Sequence, residues 1–485
     1  MRITNTMMTN SSLNNINTNK INMSKLEEQY STQKKIQRPS DDPIIAVRAL
    51  KLRSNLDELN QYYEKNIPDA KAWMDITESA LKSINGIMTS IHTYCNQGAT
   101  DTLTKQDRAS IVENLEELKS QIYQEGDSNY AGRYVFTGYK TDTALLFEKD
   151  TALAYDITET FDESDLEIKS MVLGDKDIAD YNTTTYTASE FSASSNLVDV
   201  YRVRLSYDKL SETVPPTITA TGFTGSTISL LSTDPNAYKP GADDINYLAD
   251  TGELILGKNV YNTLSNSSDL SIKYRKNSFS EGELRPEHYF NCTADPTGTD
   301  PTVYVNEDQQ IQYEINFNQK LTVNTQAKDA IKHGTGQDVD EIQKAVLDVE
   351  NTESKITEVK KLLEDGSNTE AQVYIYTKMK EQFETELALK NKVMQSSFEK
   401  CMGTMTGYQD TVNVAVADLG SRYVRLELTE NRLSDQQVDF EDLLSTNEDA
   451  DLAETLVRYN SQEQVYNASL SAAAKVVKNT LLDFL

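Results

Sequence analysis

The feature that most constrains how this chain can fold is a regular apolar stripe in its last stretch, residues 447–485. Apolar residues recur there at spacings of three and four, the pattern of a helix that packs along a heptad seam. The opposite face is polar, so the stripe indicates an amphipathic helix rather than a membrane span. The predicted seam positions are Leu452, Leu456, Tyr459, Tyr466, Leu470, Ala473, Val477 and Leu481.

This helix needs a partner, because a single amphipathic helix does not recover the entropy lost when its backbone is ordered. The N-terminal end is the expected partner. Residues 1–66 carry a net charge of +3 and residues 409–485 a net charge of −8, so electrostatic attraction favours pairing of the two ends. A looser helical stripe runs through the N-terminal stretch at Ile3, Met7, Leu13, Ile16, Met23, Leu26 and Tyr30.

Seven of the first 22 residues are asparagine, which lowers the helix propensity of the N-terminal stretch. It is predicted to be either a disordered tail or a segment that folds on assembly. A helix start follows at residues 38–43, Arg-Pro-Ser-Asp-Asp-Pro. Ser40 or Asp42 is expected to cap that helix, with Pro43 at its first position. The alternative, a cation site, rests on two adjacent carboxylates alone.

The period of the apolar pattern changes twice along the chain. Helical spacing covers residues 43–96, where Pro68 is expected to kink or restart the helix. A second helix follows and completes an antiparallel hairpin. Helical spacing returns at Asp338, after a predicted turn at residues 333–336, and resumes beyond expected interruptions at Gly403 and Gly407. Between these helical parts lie strand candidates separated by turns, for example residues 201–205, 227–231, 253–256, 270–274 and 311–317.

These patterns predict a multi-domain, mainly α protein with an inserted β domain and a helical rod built from both chain ends. Residues 1–43 and 446–485 are the predicted terminal coiled-coil segments, which we expect to be disordered in the monomer. Residues 44–139 and 336–445 are the predicted helical rod domain. Residues 140–335 are the predicted β domain, which faces solvent.

Composition and motifs exclude several classes of function. The net charge of −29 over 485 residues argues against nucleic acid or an anionic membrane as a partner. The sequence has no phosphate-binding loop, no H-E-x-x-H and no C-x-x-C, so no enzyme, cofactor or metal is expected. Glu287, His288 and Cys292 are residue types that can bind a metal ion, but we attribute their closeness in the sequence to chance. No apolar run predicts membrane insertion or a cleavable signal peptide.

Four stretches of this sequence resemble the flagellin superfamily of bacterial flagellar axial proteins. They are Met-Arg-Ile-Thr at residues 1–4, Arg-Pro-Ser-Asp-Asp-Pro at 38–43, Gly-Arg-Tyr-Val-Phe-Thr-Gly-Tyr-Lys-Thr at 132–141, and the segment from Asp-Leu-Ala-Glu at 451–454 to the apolar end. Within the superfamily, the second and third stretches look like the hook-associated protein 3 family. The helical pair at residues 338–402 is expanded relative to that family.

The resemblance implies a structural protein at the junction between the flagellar hook and filament. It implies a homo-oligomeric ring, with a companion hook-associated junction protein, flagellin and an export chaperone for the C-terminal segment as partners. It also implies flagellar export and an extracellular location, with terminal helices that order only on assembly. The assembly interface would contain Ile3, Met7, Leu13, Ile16, Met23, Leu452, Leu456, Tyr459, Tyr466, Leu470, Val477, Leu481, Phe484 and Leu485.

Two other functions fit parts of the sequence. Flagellin, the filament subunit, belongs to the same class of axial protein. A more distant alternative is a secreted surface adhesin whose β insert binds a ligand through Tyr181, Tyr186 and Phe191. Ordinary core and turn positions explain these aromatic residues equally simply.

Overall fold

The computed structural model describes residues 5–100, 103–174, 176–187, 190–191 and 195–478, with side chains for 6–475 of these. The chain divides into two compact units. Unit 1 consists of Met1–Asp69, Tyr313–Leu321 and Val424–Leu485, and unit 2 of Ala70–Gln312 and Thr322–Tyr423. Among the helices described, none is long and apolar enough to cross a membrane.

Long helices occupy both ends of the sequence, and short strands occupy the middle. This arrangement confirms the predicted fold class, a mainly α protein with an inserted β region. The helices are α1 Asn5–Thr32, α2 Pro43–Asn60, α3 Ile67–Gly98, α4 Lys105–Gly126, α5 Lys258–Leu264, α6 Ala327–Ala330, α7 His333–Leu363, α8 Glu370–Glu448 and α9 Leu452–Lys478.

Pro68 does not end the helix in which it lies. A π-helical segment, Gln61–Asn66, joins α2 to α3 directly before the proline. The Ile67 N–H donates to the Tyr62 carbonyl, five residues earlier. A proline ring crowds the carbonyl four residues before it and supplies no N–H, so a wider helical turn accommodates it without a break.

Two five-stranded sheets form the β region. One has the strand order β12-β11-β3-β10-β6 and the other β4-β5-β9-β8-β7, in which only the β7–β8 pair is parallel. The strands are β1 Asn129–Tyr130, β2 Arg133–Tyr134, β3 Tyr155–Phe161, β4 Leu166–Leu173, β5 Asn196–Arg204, β6 Thr217–Thr219, β7 Ser226–Leu230, β8 Asp244–Leu248, β9 Glu253–Leu256, β10 Leu270–Lys276, β11 Asn291–Ala294, β12 Thr302–Tyr304, β13 Gln312–Asn316 and β14 Gln319–Thr322.

The core of the β region follows the alternation of the strands. On β3, Tyr155 and Ile157 are buried, and on β10 so are Ile272 and Tyr274, in register with β3. Cys292 of β11 lies opposite Ile157 and belongs to the same core. Alternate residues of a half-buried strand point to the same face, which explains why the sequence predicted β10.

Glycines 334 and 336 lie in the first turn of α7. The prediction of a turn at residues 333–336 is therefore wrong. A Cβ at Gly334 would overlap the Tyr408 hydroxyl, and one at Gly336 would overlap the Tyr123 hydroxyl. Close packing, rather than turn geometry, thus explains both glycines.

Helix α8 also passes without a break through Gly403 and Gly407, where interruptions were predicted. A glycine inside a helix costs only about 1 kcal/mol relative to alanine. Cys401, Met405 and Val412 of α8 are buried on either side of these glycines. Tertiary packing therefore outweighs the local propensity.

A buried ion-pair cluster connects the second sheet to the helices of unit 2. Arg202 of β5 is 1% exposed. Its Nε donates to Glu167 at 2.8 Å, its Nη1 to Glu253 at 2.5 Å and its Nη2 to Glu341 at 2.5 Å. Burial alone lowers the pKa of Arg202, but the three carboxylates reverse this and raise it. Glu341 lies on α7, so the cluster holds sheet and helix together.

We predict that Arg202→Met lowers the free energy of unfolding by about 3–5 kcal/mol, because three carboxylates would lose their shared buried partner. Lys273→Ala is the matched control. Lys273 is half exposed and lies 3.4 Å from Asp156, and a surface pair of this kind contributes only about 0–1 kcal/mol. Urea unfolding, followed by the fluorescence of the single tryptophan, Trp73, measures the free energy of unfolding of both variants. Equal losses in the two variants would contradict the prediction.

Glu159 of β3 is a buried carboxyl without a cationic partner among the hydrogen bonds described for it. It accepts from the Ser206 N–H at 3.1 Å, the Ser206 hydroxyl at 3.0 Å and the Tyr274 hydroxyl. Burial raises the pKa of Glu159 to about 7, against the opposing effect of these hydrogen bonds. The folded chain thus holds a proton here that the unfolded chain releases at lower pH.

We predict that the protonated Glu159 carboxyl stabilises the folded chain. This stabilisation is fully present below pH 4.5 and is lost as pH rises from there to about 7. Glu159→Gln does not titrate. It should therefore gain on the order of 2 kcal/mol relative to wild type between pH 5 and pH 8. Urea unfolding at each pH measures the difference, and the exposed Glu212→Gln variant controls for loss of one carboxylate. Parallel profiles of wild type and Glu159→Gln would overturn this assignment.

Candidate assembly surface

Helices α1 and α9 of unit 1 pair side by side in antiparallel orientation. Near the middle, Gln462 Nε2 donates to Asn19 Oδ1 at 3.4 Å. At the base, Lys34, just after α1, forms an antiparallel bridge with Asp449, just before α9. Two segments that lie more than four hundred residues apart in the sequence therefore meet along their length.

The seam between the two helices is half polar. The less exposed positions repeat at spacings of three and four on both helices, as in a coiled coil. Small or polar residues alternate there with apolar ones, so the pair buries little apolar surface for its length. The seam consists of Thr9, Ser12, Ile16, Asn19, Met23 and Leu26 on α1, and of Thr455, Tyr459, Gln462, Tyr466, Ser469 and Ala473 on α9.

Six of the residues predicted on the two apolar stripes lie on this seam and six do not. The six on the seam are Ile16, Met23, Leu26, Tyr459, Tyr466 and Ala473. The other six, Met7, Leu13, Tyr30, Leu452, Leu456 and Leu470, are exposed.

The prediction followed apolar residues, so it missed the seam positions that polar residues occupy. Leu456 and Leu470 each follow a seam residue, Thr455 and Ser469, by one position. Leu452 is the first residue of α9. Of the remaining predicted residues, Ile3, Leu481, Phe484 and Leu485 lie outside the described residues, and Val477 is described by its helical backbone only.

Large apolar side chains remain exposed outside the seam. Ile21 and Val457 are each 68% exposed, and Met7 is 60% exposed. Exposed apolar side chains such as these are candidates for contact with another protein. We call this set the outer apolar surface: Met7, Met8, Leu13 and Ile21 of α1, and Leu452, Leu456, Val457, Val465 and Leu470 of α9.

A basal bridge, residues 33–35 and 448–450, fixes the register of the pair. The Lys35 N–H donates to the Glu448 carbonyl at 2.7 Å, and the Ala450 N–H to the Gln33 carbonyl at 2.8 Å. Gln33 has a φ of +61°, which ends α1 in the left-handed region. These backbone hydrogen bonds determine how α1 and α9 are aligned along each other.

Side chains of opposite charge reinforce the basal bridge. Lys34 Nζ lies 2.5 Å from Asp449 Oδ1 and 3.5 Å from Glu448 Oε2, and Arg53 of α2 also pairs with Glu448. The hydrogen bond from Lys34 lowers the pKa of Asp449, and the same bond raises the pKa of Lys34. Sequence reasoning did not single out these four residues. The sequence feature that could have indicated them was the opposite net charge of the two chain ends.

The acidic pair in the 38–43 motif has a structural role. Asp42 Oδ1 accepts from the Ile44 and Ile45 N–H groups at 3.0 and 3.2 Å, with Pro43 as the first residue of α2. Asp41 Oδ2 accepts from the Arg38 N–H at 2.9 Å, which lowers its pKa. Ser40 is exposed in the preceding turn, so Asp42 rather than Ser40 is the cap. In the described part of the chain, no cluster of His, Cys, Asp and Glu is arranged to hold a metal ion.

Tyr181, Tyr186 and Phe191 come together in unit 2, but against helices. The Phe191 ring stacks on both tyrosine rings, at 5.1 and 5.3 Å. Tyr181 is buried and meets Phe383 of α8 edge to face at 5.9 Å. Tyr181 and Phe191 belong to a small separate core with residues of α7 and α8, whereas Tyr186 is 40% exposed. This packing favours the structural explanation of the three aromatic residues over a ligand patch.

Comparison with known proteins agrees with this architecture. The family model of the bacterial flagellin N-terminal helical region matches residues 3–141, and that of the C-terminal helical region matches residues 403–485. A helical part built from both chain ends, with a β region inserted between them, therefore defines a flagellin-like protein.

Two curated relatives narrow the class. Flagellar hook-associated protein 3 of Salmonella typhimurium is 29% identical over 189 residues, 39% of this chain and 59% of that protein. Its counterpart from Escherichia coli is 32% identical over 151 residues, 30% of this chain and 46% of that protein. Within the flagellin-like class, the chain is therefore similar to flagellar hook-associated protein 3. It spans about half the length of these relatives.

Among solved structures, one of a flagellar hook-associated protein from Vibrio parahaemolyticus matches 84% of this chain and all of that chain, at 12% identity and a TM-score of 0.40.

We predict that Glu448→Ala increases local opening of the α1–α9 pair about fivefold, because Lys34 and Arg53 lose their shared carboxylate at the base. Amide hydrogen exchange of α1 and α9 in the monomer measures the opening. Glu454→Ala is the matched control, since Glu454 forms only an exposed pair with Arg458 within α9. Unchanged exchange in Glu448→Ala, or an equal change in both variants, would refute a role for the basal bridge.

Proposed function

We propose that this chain is a structural axial protein of the bacterial flagellum that forms the junction between hook and filament. It forms a homo-oligomeric ring, docks on the companion hook-associated junction protein and templates the assembly of flagellin. It is exported by the flagellar export route, with a chaperone for its C-terminal segment, and acts outside the cell. No catalysis or cofactor is part of this role. In this role the chain has three parts, which are the terminal segments, the helical domain and the β domain.

The observation that carries this proposal is the outer apolar surface on a helix pair whose seam is half polar. A pair that served only to close the chain on itself would bury its largest apolar residues. Here polar residues occupy half of the seam, while Ile21 and Val457 remain exposed. The similarity of the chain to flagellar hook-associated protein 3 supports the identity of the assembly.

Helix α2 extends the exposed apolar surface of unit 1. Ile44, Val47 and Leu50 are 73%, 61% and 62% exposed, whereas Ala46 and Ala49 of the same helix are buried. The small alanines, rather than the larger apolar residues, therefore occupy the packed side of α2. Copies arranged by repeated heterologous contacts would bury such residues many times over. The assembly then supplies stability that one chain lacks, and the α1–α9 pair, which opens readily in the free chain, becomes fully ordered on insertion.

Flagellin is the second candidate, because the matched family models describe flagellin regions. A deletion strain distinguishes the two. Loss of a junction protein should leave hooks without filaments while flagellin accumulates in the medium. Loss of flagellin itself should leave no flagellin in the medium.

We predict that Val457→Asp abolishes junction assembly without unfolding the monomer. A carboxylate buried in an apolar contact costs at least 1–3 kcal/mol, which is roughly tenfold or more in affinity at each contact. The variant should fail to restore filaments in the deletion strain, as counted by electron microscopy. Circular dichroism of the purified chain should match wild type.

Gln464→Asp is the matched control, because it adds the same charge at an exposed polar position of α9. It should restore filaments at the wild-type number. Normal filament numbers with Val457→Asp would remove the outer apolar surface from the proposed interface.

A further inference from the structure

Two of the three cysteines lie in contact inside unit 2. Cys95 of α3 and Cys401 of α8 are both buried, at 0% and 1% exposure. Their Sγ atoms are 3.4 Å apart and are hydrogen-bonded as free thiols. They are separated by 306 positions in the sequence. Neither the family comparison nor the sequence spacing assigns them a role.

Helices α3 and α8 approach each other closely beside the thiols. A Cβ at Gly98, one turn after Cys95, would overlap the ring of Phe398, one turn before Cys401. Both helices are thus held at the spacing that brings the two sulfurs together. The hydrogen bond with Cys95, with burial second, raises the pKa of the Cys401 thiol. Because both thiols are buried, an oxidant reaches them through local opening of the fold.

We propose that Cys95 and Cys401 are a modification site that closes to an intramolecular disulfide when the folded chain meets an oxidising medium. The oxidant is a small-molecule disulfide. One protein thiolate attacks it, forming a mixed disulfide and releasing one small thiolate. The second protein thiolate attacks the protein sulfur of the mixed disulfide and releases the other small thiolate. Two protein thiols are oxidised, one disulfide is reduced, and the two thiol protons pass to the released thiolates.

Only a small movement is needed to form the bond. The sulfurs must approach from 3.4 Å to about 2.05 Å. The chemistry requires only the folded chain. That it occurs outside the cell rests on the proposed function, because the exterior is oxidising and the cytoplasm keeps thiols reduced.

The bond would link the two halves of the helical part and close a loop that contains the whole β region. Cross-links that close long loops restrict the unfolded chain most. The dithiol state permits the unfolded chain to be exported, and the disulfide state would hold the chain folded afterwards.

Cys292 makes the proposal testable without any substitution. It is buried in β11, and burial raises the pKa of its thiol to about 12. In an unfolded chain, the pair Cys292–Cys401 closes the shortest of the three loops and should form most readily. The native fold, by contrast, selects Cys95–Cys401. The identity of the linked peptides therefore reports whether the fold directs the reaction.

The experiment is oxidation of the purified full-length chain with oxidised glutathione, in native buffer and in denaturant, followed by alkylation and peptide mapping by mass spectrometry. Under native conditions we expect the Cys95–Cys401 link, a mass lower by two hydrogen atoms and faster migration on a non-reducing gel. In denaturant we expect mainly Cys292–Cys401. The oxidised native form should melt roughly 5 °C or more higher than the reduced form, and a reductant should reverse the shift.

Three outcomes would overturn the proposal: free thiols after native oxidation, glutathione adducts without the link, or the same linkage pattern in both conditions. Cys292→Ala should still form the link, and Cys95→Ala should not, with circular dichroism to confirm folding. If Cys95→Ala does not fold, the wild-type peptide maps decide alone. The maps do not depend on flagellar assembly, so failure of the disulfide and failure of the proposed function are separately visible.

Discussion

The antiparallel pairing of the two chain ends is the constraint on which the terminal helices depend. The basal bridge at residues 33–35 and 448–450 aligns α1 with α9 through backbone hydrogen bonds and opposite charges. Everything between these points in the sequence becomes one long insertion. The pair is aligned by its base rather than by its seam, because half of the seam positions are polar. The apolar residues left outside are then available to other chains.

Unit 2 is held together by a different kind of interaction. Its two sheets have their own apolar core, but Arg202 connects Glu167 and Glu253 of the sheet to Glu341 of α7. Lys400 of α8 contacts Glu167 and Glu341 as well. Buried ion pairs give little net stability but penalise misalignment strongly, since each carboxylate needs its partner. The β region is therefore bound to its helices in a defined register.

The sequence predicted those parts whose apolar pattern has one dominant period. The strands at residues 201–205, 253–256 and 270–274 coincide with observed strands, and the long helices at both ends are present. It failed where a polar or small residue occupies a packed position. Such residues give little or no apolar pattern in the sequence. They are Thr455 and Ser469 on the seam of α9, Gly334 and Gly336 in α7, and Ala46 and Ala49 in α2. Their partners, such as the Tyr408 and Tyr123 hydroxyls beside the two glycines, are distant in sequence.

If the chain assembles as proposed, its charge distribution would limit premature association despite the exposed apolar side chains. A net charge of −29 makes free copies repel one another. The N-terminal stretch at +3 and the C-terminal stretch at −8 attract each other within one chain, which favours the basal bridge. Exposed apolar residues would then add to affinity where several copies are held side by side. The proposed assembly would thereby be favoured at an existing structure over free solution.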